Sequence, residues 1–548
     1  MLSDEIKKFF RGEVLTDEAT LEKYSEDASI FKIQPEAVVF PKNVEDVKNL
    51  VKFVAKSKDK KGKKITLTAR AAGTDMTGGP LTESIVVNFM KYFNKIKKIG
   101  RDYVVVEPGV YYRDLEKETL QKGLIYPPYP ASKEICAVGG IVANNGAGEK
   151  TLSYGKTEDF VLELKTVLSD GNEYLFKPLK KSELEKKMAQ NNFEGKLYKS
   201  LFGLIIKNRK LLQEAKPKVN KNSAGYYLWN IWDGETFDIT KVLVGSQGTL
   251  GLITEIKFKL VPIKKHSRMV TVFMKNLDSL GKLVNIILGS HPESLEAYDD
   301  KTLWLAIKFF PGIIKGLIKK YGNLAKVFIE FIPDMVMILT HGFPKLVLMA
   351  EITGDREEEV IKECEALVEK ISKEDFIVRM TSHQKEAEKY WTIRRESFNL
   401  LRQKVRSKHT APFIDDVIVN PEHLPQFLPR LNVLIGKYKK LTYTIAGHAG
   451  DGNFHVIPLM DFTDPEARAS IPKLSEEVFD LVAEFKGSIT AEHNDGLVRT
   501  PYLHKMYNSK VLKLFEETKK LFDPKDIFNP GKKVRGNLEY SNSHIKTK

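Results

Sequence analysis

The chain has 548 residues, more than one ordinary hydrophobic core accommodates, which predicts two or three domains. Hydrophobic residues make up 42% and charged residues 29%, a balance typical of a globular protein and not of a disordered one. The two cysteines, Cys136 and Cys364, exclude a disulfide scaffold, a cysteine zinc site and a cysteine-held iron–sulfur cluster within the chain.

The formal net charge is +15, which by itself would suit a phosphate-rich partner. The lysines are scattered from Lys7 to Lys548, however, and no nucleic-acid-binding motif accompanies them. We therefore expect no nucleic-acid partner. The first five residues, Met1 to Glu5, show neither an apolar core nor a cleavage signal, which predicts a cytoplasmic protein.

The first third of the chain alternates strands and helices. Residues 36–55 predict a short strand that ends at Pro41 and then a helix with Asn43 as its N-cap, because valines and a leucine recur at helical spacing. Further strands are predicted at 64–70, 84–89 and 102–107, and a helix at 111–122. This alternation indicates an α/β or α+β domain.

The pattern then changes twice. Residues 135–177 combine glycine-rich turns with β-branched segments, and lysine-rich helices (182–216) and a strand with a glycine turn (241–261) follow. After Pro262 a separate α+β unit is predicted, with strands at 268–274, 345–352 and 376–380 and a helix near 277–289. Helices are expected over 465–522.

This reading divides the chain into five segments. They are an N-terminal helical segment (1–35), a first domain of alternating strands and helices (36–262), a second α+β domain (263–460), a C-terminal helical part (461–535) and a flexible tail (536–548).

Three glycine-bearing loops stand out. Loop A is RAAGTDMTGG (70–79), loop B is CAVGGIVANNGAG (136–148) followed by Tyr154-Gly155, and loop C is VGSQGTLGLIT (244–254). Small residues let backbone N–H groups approach an anion closely. Loop A lacks the GK[ST] ending of a P-loop and is not a GxGxxG fingerprint. Each loop alone is an ordinary turn, but their order and spacing argue against three unrelated turns.

In this order the loops resemble the FAD-binding domain of the vanillyl-alcohol-oxidase/p-cresol-methylhydroxylase type, in its glycolate oxidase/D-lactate dehydrogenase branch. That family's motifs are similar to RGGGTSLSG, ATxGGxxAxNAGG and VGSEGTLGIIT. The resemblance implies an α+β fold with a two-part FAD-binding domain, an α+β cap and C-terminal helices. It implies FAD contacts from Arg70, Ala71, Ala72, Gly73, Thr74, Asp75, Pro130, Ala137, Gly139, Gly140, Asn144, Gly146, Tyr154, Gly155, Gly248, Gly251, Ile253 and Asn529, the last within a closing DPKDIFNPGK stretch.

Some positions depart from the family pattern. Ala71 and Ala72 replace glycines, and Gln247 replaces a glutamate, which removes a negative charge near the cofactor. Thr74 stands where some relatives carry a flavin-linked histidine, so the resemblance implies non-covalent FAD.

Two further glycine-rich turns, GHAGDGNFH (447–455) and GSITAEHNDG (487–496), contain three of the eleven histidines. A lone histidine in a turn is usually a surface residue, but this concentration favours a metal site. Two imidazoles and a carboxylate suit Zn²⁺. The strings resemble the family's GHxGDGNxH and GxxxGEHGxG motifs, which implies His448, His455 and Glu492 as ligands of a divalent metal and His493 as the catalytic base. Zn²⁺ is expected, with Mn²⁺ and Fe²⁺ as alternatives.

The substrate side of the site is less sharply defined by the sequence. WTIRRE (391–396) resembles the family's WxxRE stretch and implies that Arg394 binds the substrate carboxylate, although an ordinary helix-surface arginine is equally compatible. The role of Asp415-Asp416 stays open.

Residues 304–343 form an apolar insertion in the cap. Pro311, Pro333 and five lysines interrupt it, so no apolar span long enough for a transmembrane helix survives. Two interpretations stay open, a buried helix pair and an interfacial helix on an anionic membrane.

The sequence thus predicts an FAD-dependent dehydrogenase that converts a small D-2-hydroxy acid, such as D-lactate or glycolate, to the 2-oxo acid by hydride transfer to flavin. Electrons would pass to a quinone or an electron-transfer protein, with peripheral contact at the inner face of the cell membrane if 304–343 binds lipid. A homodimer is an open expectation. The alternatives are an alkyl-glycerone-phosphate-synthase-like flavin transferase and a basic binding protein with a degenerate flavin domain.

Overall fold

The computed structural model describes residues 2–57, 62, 64–308, 314, 318, 321–374, 376–404 and 408–547, with side chains for all of these except 384 and 396–404. The chain begins with a four-stranded sheet of order β1-β2-β4-β3, in which β2 and β3 both run parallel to β4. Its elements are α1 Leu2–Lys7, β1 Glu13–Leu15, α2 Glu18–Tyr24, β2 Ala37–Phe40, α3 Val44–Val54, β3 Leu67–Arg70 and β4 Ile85–Asn88.

Helix α3 forms where the sequence predicts it. The Asn43 side chain accepts a hydrogen bond from the Asp46 N–H, which confirms the N-cap. Val47, Leu50 and Val51 face the core of this sheet at helical spacing. Loop A leaves the carboxyl end of β3.

A second, antiparallel sheet of order β5-β6-β12-β8-β9 completes the cofactor domain. Its strands are β5 Ile96–Ile99, β6 Tyr103–Val106, β8 Val161–Val167, β9 Glu173–Phe176 and β12 Leu252–Lys259; the short pairs are β7 Leu124–Ile125 with β13 Val261–Pro262 and β10 Leu179–Lys180 with β11 Thr236–Phe237. The helices are α4 Tyr112–Leu120, α5 Val138–Asn144, α6 Thr151–Tyr154, α7 Thr157–Phe160, α8 Lys181–Met188, α9 Phe193–Lys207, α10 Arg209–Ala215 and α11 Thr240–Leu243.

The strand expected over 241–261 is shorter than predicted. Residues Thr240–Leu243 form one helical turn, and the strand begins only at Leu252. Gly245 and Gly248, with φ of 76° and 68°, form the turn between them, because this left-handed conformation is accessible to glycine and interrupts an extended strand.

The cap is built on an eight-stranded sheet of order β17-β14-β16-β15-β20-β21-β18, with β19 beside β21. The strands are β14 His266–Met274, β15 Ser294–Asp299, β16 Leu346–Gly354, β17 Ile377–Met380, β18 His409–Thr410, β19 Val417–Ile418, β20 Thr442–His448 and β21 Asn453–Met460. The helices are α12 Leu280–Leu288, α13 Asp300–Lys308, α14 Leu324–His341, α15 Glu357–Ser372, α16 Ala387–Lys404 and α17 Leu424–Gly436.

Side chains alternate across this sheet and bury both of its faces. Val270 and Val272 of β14 pack in the core that contains residues of α12 and α15. Met269 and Phe273 point to the other face, in a cluster with residues of α13, α14 and α16. Because successive side chains of a strand point in opposite directions, β14 contributes side chains to both hydrophobic cores.

The C-terminal part consists of α18 Pro465–Glu484, α19 Gly496–Arg499, α20 Ser509–Phe522 and α21 Leu538–Ser543. The helical run expected over 465–522 is interrupted by residues 485–495, which form a loop carrying Glu492 and His493. The structure also differs from the flexible tail expected after residue 536. Ser541 and Ile545 are buried, and the Lys546 N–H donates to the Ile30 carbonyl at 2.9 Å.

The apolar insertion forms α13 and α14, and residues 309–313, 315–317 and 319–320 between them lie outside the described residues. Among the helices that the structure describes, none is long and apolar enough to cross a membrane.

Candidate active site

The three glycine loops lie together and are joined by side-chain hydrogen bonds. Asn144 of loop B donates to the Asp75 carboxylate of loop A at 2.7 Å. Gln247 of loop C donates to Asn144 at 3.3 Å and to Thr77 at 3.2 Å. The three loops, which are far apart in the sequence, therefore form one connected surface.

Two asparagines from the C-terminal part fasten this surface. The Asn529 side-chain N–H₂ donates to the carbonyls of Gly79 and Gln247, at 2.9 and 2.8 Å. The Asn494 side chain donates to the carbonyls of Asn144 and Gly245, at 3.1 and 2.9 Å. Asn494 stands where the family's GxxxGEHGxG motif has a glycine, and its partners show that this side chain joins loops B and C.

The exposure of the loops suits a bound dinucleotide. Thirteen of the predicted FAD contacts remain partly accessible; they are Ala71, Ala72, Gly73, Thr74, Asp75, Pro130, Gly139, Gly140, Asn144, Tyr154, Gly155, Gly248 and Ile253. A ligand can approach the backbone closely at Gly140, because an added Cβ there would project into open space and meet only Ala71, at 3.9 Å. The residues present thus fit FAD.

The other predicted contacts are buried and fasten the loops. They are Arg70, Ala137, Gly146, Gly251 and Asn529. The Arg70 guanidinium donates to the carbonyls of Tyr24 and Glu26, at 3.1 and 2.6 Å. These two hydrogen bonds hold the N-terminal segment against loop A.

The two histidines of the GHAGDGNFH string come together across a hairpin. His448 ends β20 and His455 lies in β21, opposite Ala446, and the turn between the strands passes through Gly452 at φ 76°. The ring centroids are 5.3 Å apart. Glu492 closes the set, because its Oε1 lies 3.3 Å from His448 Nε2 and 3.2 Å from His455 Nε2.

Each of these imidazoles is oriented by a buried carboxylate. His448 Nδ1 lies 2.6 Å from Glu296 Oε1, and His455 Nδ1 lies 3.1 Å from Asp415 Oδ1. Metal-binding histidines in proteins usually donate their second N–H to such a carboxylate, which turns the other nitrogen towards the metal. Glu492 Oε2 is buried with no hydrogen-bond donor among the described residues. This donor set fits a divalent cation.

Geometry alone also groups Asp416 with His455, Glu492 and His493, since one ligand atom from each lies within 4.8 Å of the others. Asp416 Oδ2, however, already accepts the N–H groups of Ala491, Glu492 and His493, at 2.9, 2.9 and 2.8 Å. An oxygen saturated with donors is a poor ligand. We therefore regard Asp416 as the residue that shapes the loop and His448 as the better ligand candidate.

His493 stands at the accessible edge of the cluster. Its ring stacks on His455 at 5.1 Å, and its Nδ1 lies 3.1 Å from Asp415 Oδ2. Its side chain is 22% exposed, compared with 6% for His448 and 13% for His455. Of the three imidazoles, His493 is the one that a substrate can reach most easily.

The electrostatics of the cluster are dominated by Asp415 and Glu492. Burial alone would raise the pKa of Asp415, but the imidazoles of His493 and His455 hold it well below its ordinary value. Burial lowers the pKa of His455, and the Asp415 and Glu492 carboxylates outweigh this and raise it to about 10. A cation at Nε2 must displace the proton, since only the neutral imidazole offers a lone pair.

A buried lysine balances the acidic side of the site. Lys221 is fully buried, and its Nζ lies 3.0 Å from Asp451 Oδ2 and 3.5 Å from Glu492 Oε2. Burial raises the pKa of Glu492, but His448 and Lys221 hold it well below its ordinary value. Glu492 is therefore ionised and available to a cation.

Arg394 lies beside the histidine cluster. It is carried by α16, and its Nε lies 3.2 Å from Glu296 Oε2, the same carboxylate that orients His448. Its neighbour Arg395 pairs instead with Glu149 at 2.6 Å. The structure thus places Arg394 beside the predicted metal ligands and not in the solvent-facing position of an ordinary helix-surface arginine.

Sequence reasoning missed Glu296 and Lys221 and left Asp415 and Asp416 without a role. Glu296 and Lys221 lie in stretches without a motif, and only chain folding brings them to the histidines. The paired acids Asp415-Asp416 were a usable signal, because two adjacent buried carboxylates require partners.

Comparison with known proteins agrees with this geometry. Residues 35–174 match the model of an FAD-binding domain, and residues 263–533 match the C-terminal domain of FAD-linked oxidases. The chain is 29% identical to D-2-hydroxyglutarate dehydrogenase of Pseudomonas putida over 95% of its own length and 50% of that protein's. It is 27% identical to the glycolate oxidase subunit GlcD of Bacillus subtilis, over 93% and 91% of the two lengths.

Two solved structures share the fold. Alkyldihydroxyacetonephosphate synthase superimposes with a TM-score of 0.66 at 17% identity, covering 96% of this chain and 85% of that one. p-Cresol methylhydroxylase superimposes with a TM-score of 0.66 at 17% identity, covering 95% and 93%. At this identity the likeness shows the fold alone, and it confirms the fold predicted from the three loops.

Fold and loops together define a protein of the FAD-linked oxidase type, with an FAD-binding domain. The chain belongs to the family of FAD-linked oxidases. It spans about half the length of the D-2-hydroxyglutarate dehydrogenases that it matches first, and nearly the whole of GlcD.

Proposed function

We propose that this chain oxidises a D-2-hydroxy acid, of the size of D-lactate or glycolate, to the 2-oxo acid, with a divalent cation on His448, His455 and Glu492. The supporting observation is the approach of both Nε2 atoms to Glu492 Oε1, at 3.3 and 3.2 Å, beside Arg394. The names of the relatives support the substrate class. The nitrogen and oxygen donors suit Zn²⁺, with Mn²⁺ and Fe²⁺ as alternatives.

FAD, when bound at the three loops, accepts the hydrogen and electron pair that leave C2 of the substrate, and the cation makes the substrate hydroxyl more acidic. Arg394 binds the substrate carboxylate, because a planar guanidinium pairs with both carboxylate oxygens. Glu296 holds His448 and Arg394 in one geometry through its two oxygens.

His493 takes the hydroxyl proton at Nε2. Its Nδ1 lies 3.1 Å from Asp415 Oδ2, and the negative charge of this carboxylate favours the tautomer with the proton on Nδ1 and the lone pair on Nε2. Asp415 then stabilises the imidazolium that forms. Burial lowers the pKa of His493, but the carboxylates of Asp416 and Asp415 outweigh burial and raise the pKa above its ordinary value. A cation held by the neighbouring ligands would favour the neutral ring before reaction.

The test is anaerobic titration of the FAD-loaded, metal-loaded protein with D-lactate, L-lactate, glycolate and D-2-hydroxyglutarate. The expected result is loss of the oxidised flavin absorbance with D-lactate or glycolate and none with L-lactate. Absence of bleaching by every acid in the panel would refute the dehydrogenase and favour the transferase or binding-protein alternatives. Bleaching by D-2-hydroxyglutarate alone would overturn the short substrate.

FAD is proposed to be non-covalent, since Thr74 occupies the position of the linking histidine in some relatives. The proposed electron acceptor is a quinone or an electron-transfer protein. The reoxidation rate of the bleached flavin, with a soluble quinone compared with air, tests the acceptor.

A further inference from the structure

Helix α14 (Leu324–His341) is apolar around most of its circumference, and only one face is covered by protein. The covered face contains Val327, Asp334 and Met337, which are buried. Asp334 pairs with Lys389 of α16 and accepts the Tyr390 hydroxyl at 2.6 Å. This face holds the helix to the cap.

The opposite face is apolar and exposed. Sixteen large hydrophobic side chains among the described residues are exposed. Ten of these belong to α13, to α14 or to Phe343, which lies two residues after the end of α14. We call these ten the apolar patch; they are Trp304, Ile307, Leu324, Phe328, Ile329, Ile332, Met335, Val336, Leu339 and Phe343, between 40% and 82% exposed. The largest patch on a typical monomer covers about 300–600 Å² and is often functional, so ten adjacent half-exposed side chains indicate a binding surface.

The segment that carries the patch is rich in lysine. In sequence, residues 300–345 contain seven lysines and three acids, Asp300, Glu330 and Asp334, and Asp300 pairs with Lys345. Asp334 is already paired on the covered face. Lys308 lies with its Nζ 4.2 Å from the Trp304 ring, at the edge of the patch. The segment thus combines an exposed apolar face with an excess of lysines in its sequence.

We propose that the apolar patch docks the protein on an anionic lipid surface, with α13 and α14 lying in the plane of the interface. An amphipathic segment with bulky apolar residues and flanking lysines gains from both hydrophobic insertion and attraction to anionic headgroups. A second copy of this chain fits less well, because a two-fold interface would bring two copies of the same lysine-rich segment together. The proposal is independent of the substrate.

One of the helices that carry the patch is a neighbour of elements that carry active-site residues. Helix α13 begins at Asp300, directly after β15, the strand that carries Glu296. It packs against α16, the helix that carries Arg394. Docking there places the cap, and with it the active site, next to the membrane.

The test is co-sedimentation of the FAD-loaded full-length protein with vesicles of phosphatidylcholine alone and of phosphatidylcholine mixed with phosphatidylglycerol. Binding is expected to the mixed vesicles and to weaken with salt. Leu339→Glu, in the patch at 82% exposure, should weaken binding by about tenfold or more. Val433→Glu, at 70% exposure on α17, is the matched control and should bind like the parent. Lys326→Glu should weaken binding about fivefold.

Equal vesicle binding by Leu339→Glu and the parent, or no binding by the parent, would overturn the proposal. Analytical ultracentrifugation without lipid decides the competing occupant, since a dimer that Leu339→Glu dissociates would assign the patch to a second copy. Flavin content and reduction by substrate should be unchanged in Leu339→Glu, because Leu339 contacts no site residue. Loss of vesicle binding with intact turnover therefore separates this proposal from the proposed function.

Discussion

Glu296 offers the sharpest test of how the site is held together. It is buried, and it joins His448 at 2.6 Å and Arg394 at 3.2 Å. Burial raises the pKa of Glu296, but these two partners outweigh burial and lower it to about 2. Because the pKa of Glu296 is lower in the folded protein than its unfolded value of 4.5, the ionised carboxylate stabilises the fold at pH values above 4.5. This stabilisation is lost as the pH falls towards about 2. In the metal-free protein at neutral pH this contribution is about 3 kcal/mol.

Glu296→Gln keeps the volume but loses the charge, and the new amide N–H₂ must face either the His448 N–H or the Arg394 N–H. We expect metal affinity to fall about 10–100-fold, as for other partners of metal-binding histidines. The KM for the substrate should rise because Arg394 loses its partner. Metal affinity is measured by competition with a chelator, and KM by flavin reduction at saturating metal.

The matched control is Asp299→Asn, on the same strand. Asp299 is buried and accepts the Thr302 and Ile445 N–H groups, at 2.9 and 3.1 Å, without touching a histidine. It should keep the parent's metal affinity. If Glu296→Gln binds metal within threefold of Asp299→Asn, the orienting role of Glu296 is wrong.

Four further outcomes follow from the structure. His493→Ala should retain metal and FAD but reduce flavin about 10²–10⁴-fold more slowly in single turnovers, and a rate within a few-fold of the parent would place the base elsewhere. Chelation should abolish flavin reduction, and added Zn²⁺ or Mn²⁺ should restore it; full activity of the metal-free protein would contradict the metal site. Acid precipitation should release the flavin into the supernatant, and colour in the pellet would show a covalent link. Asp299→Asn should gain stability relative to the parent as the pH rises from about 4 to 6. Burial raises the pKa of Asp299 to about 6, so the stabilising contribution of its protonated form, full below 3.8, is lost as the group ionises. Urea unfolding across this range should show a relative gain of about 3 kcal/mol, and a constant difference between variant and parent would refute the reasoning.

The motif residues were predictable because their roles are local. The glycines of loops A and C shape their own turns, and His448 and His455 are brought together by a hairpin only a few residues long. The Asn43 N-cap likewise depends on residues three positions apart. Such features are encoded by neighbours in the sequence and survive any reasonable arrangement of the rest of the chain.

Other expectations failed where packing decides. The strand expected from residue 241 begins at 252, since a short apolar stretch before two glycines is compatible with helix or strand. The polar tail after 536 folds back, because Ile545 finds an apolar surface that its own sequence does not reveal.

The sequence by itself determined the cofactor loops, the histidine-rich turns and the family, since each depends on residue types at short spacing. Only the tertiary structure decided how these pieces are held. Glu296 is 152 residues from His448, and they meet because β15 pairs with β20 with Ala297 opposite Gly447. The structure likewise decided which face of α14 is covered. A helix with apolar residues on most sides has no preferred inner face until neighbouring helices bury one of them.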